Sequence, residues 1–121
     1  MMSCACQITD ARPFELLYWR GDTVPIVATI TTAKGAAFNL NGCAPVFTVL
    51  ASDEEGALPL WEKSLGSGIS ILDLAGGKLA IAPTLSESRA LTAGRTYPSR
   101  FVLTDSAGSI QTTATGYLLA R

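Results

Sequence analysis

The chain has no histidine at all among its 121 residues. With it goes the side chain that most often serves as general base, metal ligand or proton shuttle near neutral pH. Charge of one sign is missing too: 9 Lys+Arg stand against 10 Asp+Glu, scattered singly. No basic stripe marks a phosphate-backbone footprint, so nucleic acid is not an expected partner. No apolar run reaches the ~20 residues that span a bilayer, and Met1-Met2-Ser3-Cys4 lacks the basic start of a secretory leader, so neither membrane nor export is expected. Cysteine is scarce. Cys4, Cys6 and Cys43 cannot pair completely, and Cys4-Ala-Cys6 has one intervening residue where structural zinc loops have two to four. Asp53-Glu54-Glu55-Gly56 lacks the spaced oxygens of a calcium loop and reads as a hairpin tip. No metal and no cofactor are expected.

What is present is turn chemistry at short intervals. Gly, Asn and Asp clusters recur at 20–22, 33–35, 39–42, 52–56, 66–68, 75–77, 93–94 and 105–108, separated by runs of β-formers. Many short strands with turns every 8 to 15 residues predict an all-β chain, an antiparallel sandwich or barrel. The run 24–31 alternates with Val24, Ile26, Ala28 and Ile30 on one face, and Pro25 belongs near that strand's start or on a free edge. Further strands are expected at 45–51, 58–65, 69–72, 78–82, 96–104 and 110–119. Residues 86–91 break the rhythm with capping residues followed by helix formers, predicting a short helical turn between two strands.

Three sets of residues stand out. Leu91, Gly94 and Tyr97, leading into alternating 101–104, are spaced like a tyrosine corner: a leucine anchoring a loop, a glycine permitting a tight turn and a tyrosine hydroxyl bonding back to the backbone. The alternative is a plain strand tyrosine. Phe14-Glu15-Leu16-Leu17-Tyr18-Trp19, read as a strand, is apolar on both faces. Either one face is core and Trp19 lies over a loop, or Phe14, Leu16, Leu17, Tyr18 and Trp19, together with Trp61, form a subunit interface. Residues 1–13 carry little alternation and read as an N-terminal arm that orders against another subunit, ahead of a domain at 14–121.

Arg20-Gly21-Asp22-Thr23-Val24-Pro25-Ile26, followed by Phe38-Asn39-Leu40-Asn41-Gly42-Cys43-Ala44-Pro45-Val46-Phe47-Thr48-Val49, resembles a family of tailed-bacteriophage structural domains that includes the N-terminal domain of baseplate upper proteins. The series continues through 66–71, Asp73 with Gly76-Gly77-Lys78-Leu79, a short helix at 85–91, 94–97, a hairpin at 105–108 and Gly116-Tyr117-Leu118-Leu119, and so covers roughly 14–121. The resemblance implies an immunoglobulin-like antiparallel β-sandwich without a catalytic site. It implies a virion structural protein, made in the bacterial host cytoplasm, that joins or decorates particle subunits in the tail, baseplate or neck or on the capsid. Its partners would be other virion proteins and further copies of itself.

Other classes leave weaker traces. Arg20-Gly21-Asp22 is a short string at a turn, and no histidine exists to activate a cysteine nucleophile. A carbohydrate- or cell-surface-binding module would use Trp19, Trp61, Tyr18 and Tyr117 as its platform, but aromatics make up only 7%. Acid–base catalysis would fall to Asp73, Asp105, Glu62 and Glu87, which no spacing brings together. The chain is expected not to be an enzyme.

Overall fold

A computed structural model describes residues 4–9, 13–18, 25–32, 34–51 and 58–121, with only the backbone described at 4–7 and 111–113. The expected alternation becomes strands: β1 (Cys4–Thr9), β2 (Phe14–Tyr18), β3 (Ile26–Thr31), β4 (Ala44–Leu50), β5 (Pro59–Leu65), β6 (Gly68–Asp73), β7 (Lys78–Ile81), β8 (Thr96–Thr104) and β9 (Ile110–Ala120). One short helix, α1 (Leu85–Arg89), separates β7 from β8. Each strand well covered on one side shows the period of two: Ile26, Ala28 and Ile30 of β3 are fully buried while Val27 and Thr29 are partly open.

All nine strands form one ladder in the order β1-β3-β7-β6-β5-β4-β8-β9-β2. The end strands β1 and β2 lie against each other without pairing to one another, so the sheet is a nearly closed, barrel-like wrap. This differs from the purely antiparallel immunoglobulin-like sandwich expected from sequence. β1 runs parallel to β3 from Cys4↔Ile26 to Thr9↔Thr31, and β2 runs parallel to β9 from Phe14↔Gly116 to Tyr18↔Ala120. The third parallel pairing, Ser64↔Gly68 and Leu65↔Ile69, is a corner of residues four apart, where the ladder turns from β5 into β6. Alternation reports which face of a strand is buried and is silent about the direction of its neighbour, which is why the parallel pairs escaped it. Residues 1–13, read from sequence as an arm, contain β1, and Ile8 of that strand has no exposed surface.

The wrap encloses one apolar core in which Phe14, Phe47 and Trp61 stack in sequence, with ring centroids 6.2 Å and 6.0 Å apart. Such tilted aromatic pairs add to the burial of their area. Trp61 Nε1 is buried there without a hydrogen-bond partner among the described residues. The carbonyl of Gly77, at φ 69°, accepts the Ile30 N–H at 2.7 Å, and a Cβ on Gly77 would come within 2.5 Å of the Ile30 carbonyl oxygen. Only glycine lets the turn after β6 fold back this closely onto β3.

α1 is fixed by a capping box. Thr84 Oγ1 accepts the Glu87 N–H at 3.2 Å, and Glu87 Oε1 accepts the Thr84 N–H at 2.8 Å. Glu87 also forms an ion pair with Lys63, a β5 residue whose alkyl stem lies over Gly68 at the corner. The hairpin between β8 and β9 is closed by Asp105, whose Oδ1 accepts N–H groups of Ala107 and Ser109, both at 2.9 Å.

Candidate functional site: the outer face of β8, β9 and β2

The two-faced strand Phe14–Tyr18 resolves plainly. Phe14, Leu16 and Tyr18 point into the core, as does Trp61, each at most 5% exposed. Leu17 alone of the proposed interface set stands on the outer face, 43% exposed, and Trp19 lies outside the described residues. The six residues grouped from sequence as an interface are therefore not one surface. β2 carries its apolar side inward because it closes the wrap beside β1, a neighbour the sequence did not announce.

Sequence reasoning offered Tyr117 only as one aromatic of a glycan platform and did not single out the surface around it. This residue, 46% exposed on β9, stands opposite Pro98 of β8 on one side and Glu15 of β2 on the other. A hollow of about 350 Å³ between β2 and β9 is lined by Glu15, Leu17, Thr96, Tyr117 and Leu119. A second hollow of about 220 Å³ on the other flank is lined by Leu50, Pro98, Arg100, Thr115 and Tyr117. Tyr117 is the ridge shared by both. Its signal was available in Gly116-Tyr117-Leu118-Leu119, where period two puts Tyr117 and Leu119 on the face opposite the buried Leu118. Gly116 is needed on the inner side, because a Cβ there would run into the Phe14 carbonyl and ring.

Leu91 and Gly94 lie in the loop before β8, and Tyr97 is the second residue of β8. Leu91 and Tyr97 are buried, Gly94 has φ 86°, and Tyr97 Oη accepts the Thr92 N–H at 2.6 Å. The Arg95 guanidinium stacks 5.2 Å from the Tyr97 ring centroid and donates to the Ala51 carbonyl at 3.0 Å. The bond joins residues five apart across the loop, and Gly94 N–H reaches the Ala120 carbonyl at 2.7 Å, tying the same loop to the end of β9.

The carboxylates considered for acid–base work each hold the fold. Asp73 Oδ1 accepts the Gly76 N–H at 3.0 Å, Asp105 closes its hairpin, Glu62 Oε2 accepts the Thr48 hydroxyl at 3.1 Å, and Glu87 caps α1. Burial pushes the Glu87 carboxyl up, but hydrogen bonds from Lys63 and Thr84 outweigh it and leave the group below its ordinary value. Cys43 is half-buried, and burial, helped by the Asp105 charge, raises its thiol, which reduces the nucleophilic thiolate. Among the described residues no three His, Cys, Asp or Glu side chains gather as a metal site, and no helix is long and apolar enough to cross a membrane. Arg20-Gly21-Asp22 and Asp53-Glu54-Glu55 lie outside the described residues.

No protein-family model matches the chain, and no curated protein matches it in sequence. Among solved structures, the chain is similar to the N-terminal domain of phage TP901-1 ORF48. The likeness has a TM-score of 0.68 at 17% identity and covers 100% of this chain and 99% of that one. The two share a fold.

Proposed function

We propose that the protein is a non-enzymatic structural component of a bacteriophage or prophage virion, joining or decorating particle subunits in the tail, baseplate or neck or on the capsid. The observation that carries this reading is the end-to-end likeness to a phage domain, 100% of one chain on 99% of the other. The ordered series of turns and strands that resembles baseplate upper proteins supports it independently of the coordinates. Fold likeness alone does not transmit a task, so the chemistry of the surface has to agree. It does: the candidate carboxylates serve turns, caps and ladders, and the open features are apolar hollows suited to protein contact. Partners are then other virion proteins and further copies of the chain, and the finished site is the virion, after synthesis in the host cytoplasm.

The glycan-platform reading has lost Tyr18 and Trp61 to the core, which leaves Tyr117 as its described aromatic. Quantitative mass spectrometry of particles purified from the host that encodes the chain tests the virion reading. A fixed multicopy ratio to the major tail or capsid protein is expected. Absence from particles, with the protein abundant in the lysate, overturns it.

A further inference from the structure

The outer face of β8, β9 and β2 carries two charges on opposite flanks of one tyrosine. Glu15 of β2 pairs across the ladder with Tyr117, and Arg100 of β8 pairs with Thr115, one outward position back along β9. Both side chains are exposed, and neither has an ion-pair partner among the described residues. Glu62, the other outward carboxylate nearby, accepts the Thr48 hydroxyl. Two strand spacings separate the two charges, about 10 Å across the sheet, with β9 midway.

We infer that this face binds a second copy of the chain, Tyr117 near a two-fold axis and Glu15 of each copy on Arg100 of the other. The argument is one of self-complementarity. A half-turn about an axis lying in the face, midway between the two charges, exchanges their positions, so each carboxylate meets a guanidinium and the pair forms twice. Like charges on both flanks would have repelled under the same operation. Because β9 lies midway, Tyr117 falls close to the axis, and the hollows on its two sides give the opposing ring and its neighbours a seat. An aromatic at the centre with charges at the rim is the usual distribution of an interface patch. The inference goes beyond the virion reading and does not depend on it, since it rests on this surface alone.

The test is sedimentation equilibrium of the purified full chain from micromolar to millimolar concentration, with Glu15→Arg, Arg100→Glu and an equimolar mixture of the two. The wild type is expected to show a monomer–dimer equilibrium that weakens with added salt. Each single variant places like charges together twice and should dimerise at least roughly tenfold more weakly. Mixing the two restores opposite charges at both contacts, so the mixture should recover dimers of mixed composition. A wild type that stays monomeric at millimolar concentration overturns the proposal, as do single variants that dimerise as well as the wild type or a mixture that fails to recover. Circular dichroism checks that the variants fold. Tyr117→Asp, which sets two carboxylates near the axis, supplies a separate variant that must also weaken the dimer.

Discussion

The inner and outer sides of β2, β8 and β9 are built from similar residues and have different fates. Inside, Phe14, Tyr97, Phe101 and Leu118 are covered to within a few per cent, and outside, Leu17 and Tyr117 remain nearly half open. Residue type does not separate them. What separates them is the rest of the wrap: the inner side meets the facing strands, and the outer side meets no element of its own chain among the described residues. Hydrophobicity therefore stabilises this fold only where closure supplies a second wall, and elsewhere it is surface left for another molecule.

That contrast is broken most directly by truncating one aromatic on each side. Phe47→Ala removes the middle ring of the Phe14–Phe47–Trp61 stack, and the cavity should cost about 3–5 kcal/mol in chemical denaturation. Tyr117→Ala should stay within about 0.5 kcal/mol for the monomer, because its open side gains nothing from the fold. Equal losses would mean that the outer face is packed in solution by the same chain. Gly116→Ala sharpens the comparison from the backbone. One methyl at position 116, just before Tyr117, would collide with Phe14, so a loss of about 1–3 kcal/mol is expected from a residue with no side chain to lose.

Tyr97→Phe should cost about 1 kcal/mol, the value of one hydrogen bond, since the Thr92 N–H loses the phenolic oxygen while the buried ring remains. A thermal melt resolves it. A cost near zero would make Tyr97 a packing residue only, and the loop would then depend on Leu91 and the Gly94 bond to Ala120.

Much of this was legible in the chain. β3 to β9 and α1 fall within a residue or two of their expected limits, because Gly and Asp turns and period-two burial are local chemistry. β1 was not legible: Cys-Ala-Cys-Gln-Ile-Thr has small and polar residues in alternation and becomes a strand by pairing with β3, a partner some twenty residues away. The same non-local closure decided the surface. Trp61 and Phe14 look like interface residues until β4 and β5 bring Phe47 between them, and Tyr117 looks ordinary until Glu15 and Arg100 are set on its flanks.

Among the described residues the inner side holds one charged exception. Lys63 lies on the buried side of β5, and its ammonium meets Glu87 of the α1 cap. Glu87 titrates below its ordinary value of 4.5 in the fold, so it binds a proton less readily folded than unfolded. Its contribution is then complete above about pH 4.5 and declines as the pH falls through the folded value, where both states become protonated. Glu87→Gln should therefore be less stable than the wild type by a constant amount at neutral pH, with the gap closing in acid. The pair is partly open to solvent, which screens it, so this is the smallest effect of the set. Urea denaturation of both proteins at several pH values from neutral to strongly acid measures the gap. A gap unchanged down to strong acid would show that the amide's altered capping of Thr84, rather than the charge on Lys63, is what the substitution removes.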